Sequence, residues 1–525
     1  MENSEKKKVL QEPLTLLLFA GIAGIAIFLR VFKLLDKSLC IDEIARFFVA
    51  KKPISDIIHI DKTGSFSSPF YNIILHFWYY TGDSEFIVRL FPLIFGIISI
   101  FVFGFVIIKI YSKVFDYRTA LRIALLAVFF LALSPMHIHY SQEAGGPYTL
   151  YFLLILVSTY LFLEIMDSYS QSQFRYFLYF VFLLAICFYL HYFTLNFILA
   201  YNIIFLFYYS FFVKHKSIKE WLAKSWKWFF SQIILLIVVV PIIPTILYQA
   251  SRGQPGPEVS IEDLRQLFFT FAVSQWLWTA RTTLGIIMTV VFLAGLLVIF
   301  RKNRNNVFKR DLLLLSLFVA VIGISFLVAV KTCAFRYRYL IPLLAIYIIL
   351  LARGVSFIKP KFVRALIILF VVITSLLSLN QYYFKQPYWE KDPWRDAVAF
   401  VEDNSIADDL IIFPISNEQP AFDYYYRNCA LQLERHGLIR DYDIMKGPVF
   451  SFDMPSKDII AQFENIVQKS SRIWVVTARM TIGPKGTKGI GHIIVDYMNA
   501  TEKYHYVLSK YIGGRLNVFL YEVQR

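Results

Sequence analysis

Apolar runs of bilayer-spanning length recur along this chain and decide what it can fold into. They lie near residues 14–32, 90–110, 120–136, 147–166, 175–190, 193–213, 229–249, 282–300, 312–330, 338–357 and 364–382. A helix rises about 1.5 Å per residue, so roughly twenty apolar residues match the hydrocarbon thickness of a membrane. Inside lipid each backbone polar group must be bonded within its own segment, so runs of this length read as helices. Composition agrees: 58% of residues are hydrophobic and 17% charged, against about 25% charged in soluble domains. The chain is expected to be a polytopic α-helical membrane protein with about eleven transmembrane helices.

The net charge of +16 would suggest nucleic acid in a soluble domain. Here the basic residues gather in short loops, as "EKKK", "KIYSKVFDYRTALR", "KHKSIKEWLAKSWK", "RKNRNNVFKR" and "KPKFVR". Strict alternation from a cytoplasmic N-terminus puts all five clusters on one side, which is the positive-inside pattern of a multi-pass protein of the cell membrane. No nucleic-acid partner is expected; the bilayer is. The opposite loops, 33–89, 134–147, 250–281, 331–337 and everything after about 383, are then extracytoplasmic. The first run is followed by no small-residue cleavage site and reads as an uncleaved helix.

From Pro387 onward the pattern changes. "DPWRDAVAFVEDN" reads as an amphipathic helix capped by Asp392, with Pro393 in its first turn and Trp394, Val398 and Val401 on one face. "DDLIIFPIS" and "SRIWVVTA" read as strands. The expected organisation is a transmembrane domain over 1–386, with its first extracytoplasmic loop at 33–89, and a small soluble extracytoplasmic α/β domain over 387–525. The cysteines at 40, 187, 333 and 429 have neither metal-ligand nor redox spacing.

Unusual polar residues fall at the extracytoplasmic mouths of the helices. Asp42 and Glu43 stand side by side in "CIDEIARFF". Acids favour the first turn of a helix, so helix-dipole stabilisation accounts for them in part. Arg89 heads the second run, "YSQEAGGPY" the fourth and "AFRYRYLIP", with Arg336 and Arg338, the tenth. A carboxylate can take a proton from an acceptor hydroxyl, and guanidinium groups can hold a phosphate as it leaves. His137 and His139 in "MHIHY" are spaced i, i+2 and do not share a helix face, so no metal site is expected of them. The D-x-D string Asp441–Asp443 lies far away in the tail, and the Gly/Pro-rich 251–258 segment reads as a flap or a linker.

At these residues the sequence resembles the GT-C membrane glycosyltransferases, in the family 39-like branch of protein O-mannosyltransferases and aminoarabinose transferases. The matching stretches run in order: "IDEIARF", "SSPFYNIILHFW", "EFIVRLFPLIFG", "SPMHIHYSQEAGGPYTL" and "RYRYLIPLLAIYIILLARG", with "WRDAVAFVEDNSIADDLIIFPISNEQPAFDYYYR" extending into the tail. The resemblance implies the GT-C fold. It implies an inverting transfer of a sugar from a polyprenyl-monophosphate donor to a hydroxyl of an unidentified extracytoplasmic acceptor. Asp42 is then the general base, supported by Glu43. Arg89, Arg336, Arg338 and Lys62 are expected at the donor phosphate. Gln142, Glu143, Tyr148 and His139 are expected to contact substrate. Two basic positions of the family are missing, since Ser67 and Gly145 stand where the family carries His or Lys and Arg. No cofactor is expected, with a divalent ion at the Asp42–Glu43 pair left open.

Two other classes compete. A transporter or flippase for a lipid-linked sugar predicts ionisable residues deep in the bundle and paired broken helices. A scaffold for polymer assembly leaves the first-loop acids without a purpose.

Overall fold

The computed structural model describes residues 13–63, 69–167, 173–212, 217–251, 258–275, 277, 280–302, 306–332, 335–385, 392–438, 456–478, 490–513 and 516–524. Every apolar run becomes a helix. In chain order the membrane-type helices are α1 (Pro13–Val31), then α5 (Glu85–Tyr111), α6 (Tyr117–Leu133), α7 (Pro135–Ser141), α8 (Tyr148–Asp167), α9 (Phe174–Leu190), α10 (Thr194–Phe212), α11 (Ile218–Val239), α12 (Ile243–Ser251), α14 (Arg281–Lys302), α15 (Asn306–Thr332), α16 (Ile341–Ser356) and α17 (Lys361–Asn380). Among the described residues eight spans are long and apolar enough to cross a membrane, with α11 and α12 forming one of them. A ninth is the α6–α7 pair, bent by 62° where Pro135 begins the second piece. The two remaining runs, in α1 and α9, are shorter apolar helices.

The bundle is built around α16. Its apolar window is 94% buried, against 28% for the α11–α12 span, α14 and α17, which present their faces outward. Gly354 on α16 meets Gly295 on α14 so closely that a Cβ at Gly354 would lie 2.6 Å from the Gly295 Cα. Only a glycine admits that approach of two helix backbones.

The segment between α1 and α5 carries three ten-residue helices, α2 (Ile41–Ala50), α3 (Ile54–Thr63) and α4 (Pro69–Trp78). Helices this short are marginal alone and depend on tertiary packing. α13 (Ile261–Val273) packs against α14. Beyond the bundle lie α18 (Trp394–Asn404), α19 (Gln419–Tyr426), α20 (Ser456–Val467) and α21 (Ile490–Ala500), with β1 (Leu410–Phe413), β2 (Glu434–Gly437), β3 (Arg472–Thr477), β4 (Tyr504–Ile512) and β5 (Leu516–Val523).

The five strands form one mixed sheet in the order β2-β1-β3-β5-β4. β1 is parallel to β2 and β3, while β5 is antiparallel to β3 and β4. Side-chain alternation divides the sheet's two faces. Leu410, Ile412, Ile473 and Val475 face a core with α20 and α21. Ile411, Phe413, Trp474 and Val476 face a second core shared with Trp394 and Phe422 of the tail helices, and with Leu39, Ile44 and Phe47 of the first loop. The tail and the short first-loop helices thus share one hydrophobic cluster.

Two local expectations shift. α5 begins at Glu85, capped by Ser84, so Arg89 sits in its second turn rather than at its head. α18 begins at Trp394, and its cap position holds Pro393 rather than Asp392. The expected face is confirmed, with Trp394, Val398 and Val401 buried. Asp441–Asp443 and most of the 251–258 segment lie outside the described residues.

Candidate active site

The acidic pair occupies the first turn of α2, after Cys40 in the cap position. Successive helix residues point about 100° apart, and the two acids meet opposite surroundings. Glu43 is fully buried. Its Oε2 accepts from the Cys40 amide at 2.9 Å and from Arg89 Nη2 at 3.2 Å. Its Oε1 accepts from Arg89 Nε at 3.2 Å and from the Ala144 amide at 3.1 Å. Arg89 is 1% exposed. Besides its two bonds to Glu43, it donates to the carbonyls of Leu34 at 2.7 Å, Lys37 at 2.8 Å and Ser38 at 2.9 Å. A guanidinium has five N–H donors, and all five are engaged. The expected role of Arg89 at a donor phosphate therefore needs correction: no donor remains for one. Arg89 and Glu43 instead fasten the start of α2 to α5 and to the 142–148 segment.

Asp42 has the other fate. Its side chain is 54% exposed, and Oδ2 accepts from Arg338 Nη1 at 3.1 Å. Arg338 stands in the Tyr337–Leu340 turn that leads into α16. Its guanidinium lies 5.9 Å from the Tyr148 ring centroid and 5.6 Å from that of Tyr339. Arg336 is exposed at the start of the same turn.

The structure adds a cation that the sequence reading passed over. Arg46 lies one turn after Asp42 on α2, where i and i+4 share a face. Its Nε donates to the Gly145 carbonyl at 3.4 Å, and Nη1 donates to Asn72 Oδ1 on α4 at 3.2 Å. The i, i+4 spacing in "DEIAR" was the available signal. His191, between α9 and α10, is a second addition, with its ring 4.7 Å from Tyr339 and 5.2 Å from Tyr151. Desolvation first, and the Arg338 and Arg46 charges second, hold its imidazole well below the usual histidine range. It is neutral at neutral pH.

The 142–148 segment closes the site from the other side. Gln142 donates to the carbonyls of Arg30 and Phe32, each at 2.9 Å, and accepts from the Tyr382 hydroxyl at 2.8 Å. These bonds tie α1, α7 and the turn after α17, and give Gln142 a structural task instead of the expected substrate contact. Glu143 pairs with His139 Nε2 at 2.7 Å, both being largely buried. Gly145 lies between two carboxyl-bearing residues: a Cβ there would sit 3.0 Å from Glu143 Oε1 and 3.1 Å from the Asp42 Cβ. The space that a basic side chain would enter is closed, and the Gly145 carbonyl takes Arg46 instead. Tyr148 is 4% exposed, its ring 4.7 Å from Tyr140.

Lys62 falls within α3, but its side chain lies outside the described residues, as does Ser67. His137 points away from His139, to Arg30 Nη2 at 2.9 Å and Ser99 at 3.0 Å. Among the described residues no group of three or more His, Cys, Asp or Glu is placed to hold a metal ion.

No protein-family model and no curated protein sequence matches the chain. Solved structures do. ArnT from Cupriavidus metallidurans in the apo state aligns with a TM-score of 0.60 at 10% identity, over 96% of this chain and 97% of that one. ArnT from the same organism bound to undecaprenyl phosphate aligns with a TM-score of 0.56 at 11% identity, with the same coverage. The oligosaccharyltransferase of Archaeoglobus fulgidus in its apo form gives 0.52 at 12% identity, over 88% of this chain and 70% of that one. The likeness extends through bundle and tail together: this chain is a multi-pass membrane protein with the GT-C fold, like ArnT.

Proposed function

We propose that the protein is an inverting glycosyltransferase that moves a sugar from a polyprenyl-monophosphate donor to a hydroxyl acceptor. The observation that carries this reading is the contrast within the acidic pair. Asp42 is exposed and held by Arg338, while its neighbour Glu43 is buried and fully bonded. A general base must be open to solvent and substrate, and the half-exposed Asp42 carboxylate meets that requirement where buried Glu43 does not. Arg338 and Arg46 replace Arg89 as the phosphate-facing cations. That undecaprenyl phosphate binds ArnT, a protein of the same fold, supports the lipid-phosphate donor.

In this reading Asp42 takes the acceptor's hydroxyl proton as its oxygen attacks the anomeric carbon. The bond from that carbon to the phosphate oxygen breaks, and the lipid phosphate leaves with the electron pair. Attack opposite the leaving group inverts the centre. Arg338 and Arg46 steady the charge on the departing phosphate. A donor phosphate competes with Asp42 for Arg338, so donor arrival frees the carboxylate for the acceptor hydroxyl. Glu143, His139 and Tyr148 are the further substrate contacts of this reading, with the neutral His191 ring 6.4 Å from that of Tyr148. The side follows from the loop charges: the site and the tail, from about residue 387, face away from the cytoplasm, and the lipid chain enters from the bilayer. The test offers purified protein a panel of lipid-phosphate sugars and nucleotide sugars. Consumption of a lipid-phosphate sugar, with transfer to an acceptor or to water, is expected. Movement of the lipid-sugar without consumption, or direct use of a nucleotide sugar, contradicts the reading.

A further inference from the structure

We infer that Tyr425 and Arg395, in the C-terminal tail, are positioning residues that hold the backbone in front of Asp42. This rests on the glycosyl-transfer reading for its catalytic consequence, though not for its structural content. Residues 37–40 have no regular secondary structure, so their polar backbone groups need other partners. They find them in distant parts of the chain. The Leu39 amide donates to the Tyr425 hydroxyl at 2.7 Å, and that hydroxyl hydrogen-bonds in turn to Glu85 at the start of α5. The Arg395 amide donates to Ser38 Oγ at 3.2 Å, and its guanidinium donates to the Leu35 carbonyl at 3.2 Å and to Glu85 at 2.5 Å. The same stretch accepts from Arg89 through its Leu34, Lys37 and Ser38 carbonyls. Bundle and tail therefore grip one short segment from two sides.

What that segment carries is the first turn of α2. One turn further along, Phe47 meets the Tyr424 ring edge-on at 5.1 Å. Tyr424 donates to the Asp83 carbonyl at 2.8 Å, and Arg427 pairs with the Asp83 carboxylate at 3.2 Å. α2 is only ten residues long, too short to hold its direction alone. Its N-terminus, and with it Asp42, is set by α18 and α19 as much as by the membrane helices. Arg338 and Arg46 make no contact with those tail helices through these bonds, so loosening the grip displaces the base while leaving one phosphate cation, Arg338, where it is.

The experiment uses the full-length protein with Tyr425→Phe and Arg395→Gln, read by amide hydrogen exchange and by kinetics. Lys457→Ala, exposed on α20, which packs on the sheet face opposite the one shared with the first loop, serves as the control. Faster exchange confined to residues 35–45 is expected in both variants, with the rest of the chain unchanged. Because a displacement of about 1 Å can cost ~10²-fold, kcat is expected to fall by about ten- to a hundredfold. Binding of undecaprenyl phosphate alone, followed by thermal shift, is expected to persist. Arg395→Lys, which keeps the charge facing Glu85, is expected to recover part of the loss. Unchanged exchange over 35–45 in both variants overturns the inference. So does exchange that rises uniformly across the bundle, since that marks general destabilisation. Locally faster exchange in a protein whose wild type consumes no lipid-sugar upholds the grip and overturns the transfer reading instead.

Discussion

The two ends of the helical bundle handle charge in opposite ways. At the end away from the first loop, α5, α8, α15 and α16 converge on a closed cluster. Tyr111 donates to Asp311 at 2.8 Å, Arg353 pairs with Asp311 at 3.3 Å, and Arg310 pairs with Asp167. Tyr111, Asp311 and Arg353 are all 1% exposed or less, and Arg353 also lies over the Phe357 ring at 3.8 Å. At the other end, Glu43 and Arg89 repeat this closed arrangement, but one residue earlier Asp42 breaks it. The lesson concerns which charges are free to work. Buried ion pairs fix helices, and removing one partner leaves an uncompensated charge. A half-exposed carboxylate held by one movable cation is the group that can exchange partners during a reaction.

The largest expected effect is structural. Arg89→Ala leaves Glu43 buried with no cation and frees three loop carbonyls. Loss of one partner from a buried pair costs about 3–5 kcal/mol, so thermal unfolding in detergent should show a protein that is severely destabilised or does not fold. Arg353→Ala at the opposite end should give a stability loss of the same order, about 3–5 kcal/mol. Donor binding by the protein that still folds should be unchanged. Equal effects of the two substitutions on donor binding would erase the distinction between the ends.

Arg338→Ala comes next and separates the site from its frame. Removing a group that stabilises developing charge typically costs about 10²–10³ in kcat, and the melting temperature should move little because the side chain is 35% exposed. Arg46→Ala should cost less, about tenfold, as one of two cations sharing the phosphate. Full activity in both variants would return the phosphate to some other group. The smallest effect is at the rim. Arg427 and Asp83 are 31% and 55% exposed, and such pairs contribute at most about 1 kcal/mol. Arg427→Ala should therefore leave stability nearly unchanged, with any difference shrinking as salt is added.

Much of the frame was legible because it is local. Span length, loop charge and short apolar runs bounded by polar residues depend on neighbours in sequence, and the apolar helices and the strands β1 and β3 follow from them. The site was legible in place but not in role. Nothing local separates Asp42 from Glu43. Their fates are set by Arg89, which is 46 residues from Glu43, and by the Ala144 amide, 101 residues from it. The resemblance puts Arg89 at the donor phosphate, and the apolar run puts it at the head of its helix. α5 begins earlier, at Glu85, so Arg89 is carried inward to the loop carbonyls. The resemblance likewise implies a substrate contact for Gln142, whose hydrogen-bond partners lie 110, 112 and 240 residues away. The glycine at 145, where the resemblance implies an arginine, also has a tertiary explanation. Arg46 reaches the same neighbourhood from α2, and the glycine makes room for the Asp42–Glu143 approach.

The central claim is that the two adjacent acids divide into a working group and a structural one. Its most direct test is Asp42→Asn, assayed for transfer from a lipid-phosphate sugar alongside thermal unfolding of the same preparation. Loss of a general base typically lowers the rate by about 10²–10⁴-fold, and the amide is nearly the same size and sits on the surface. The account predicts a protein that melts like the wild type, still binds undecaprenyl phosphate and turns over at least about a hundredfold more slowly. Near-normal turnover in a well-folded Asp42→Asn protein would contradict it.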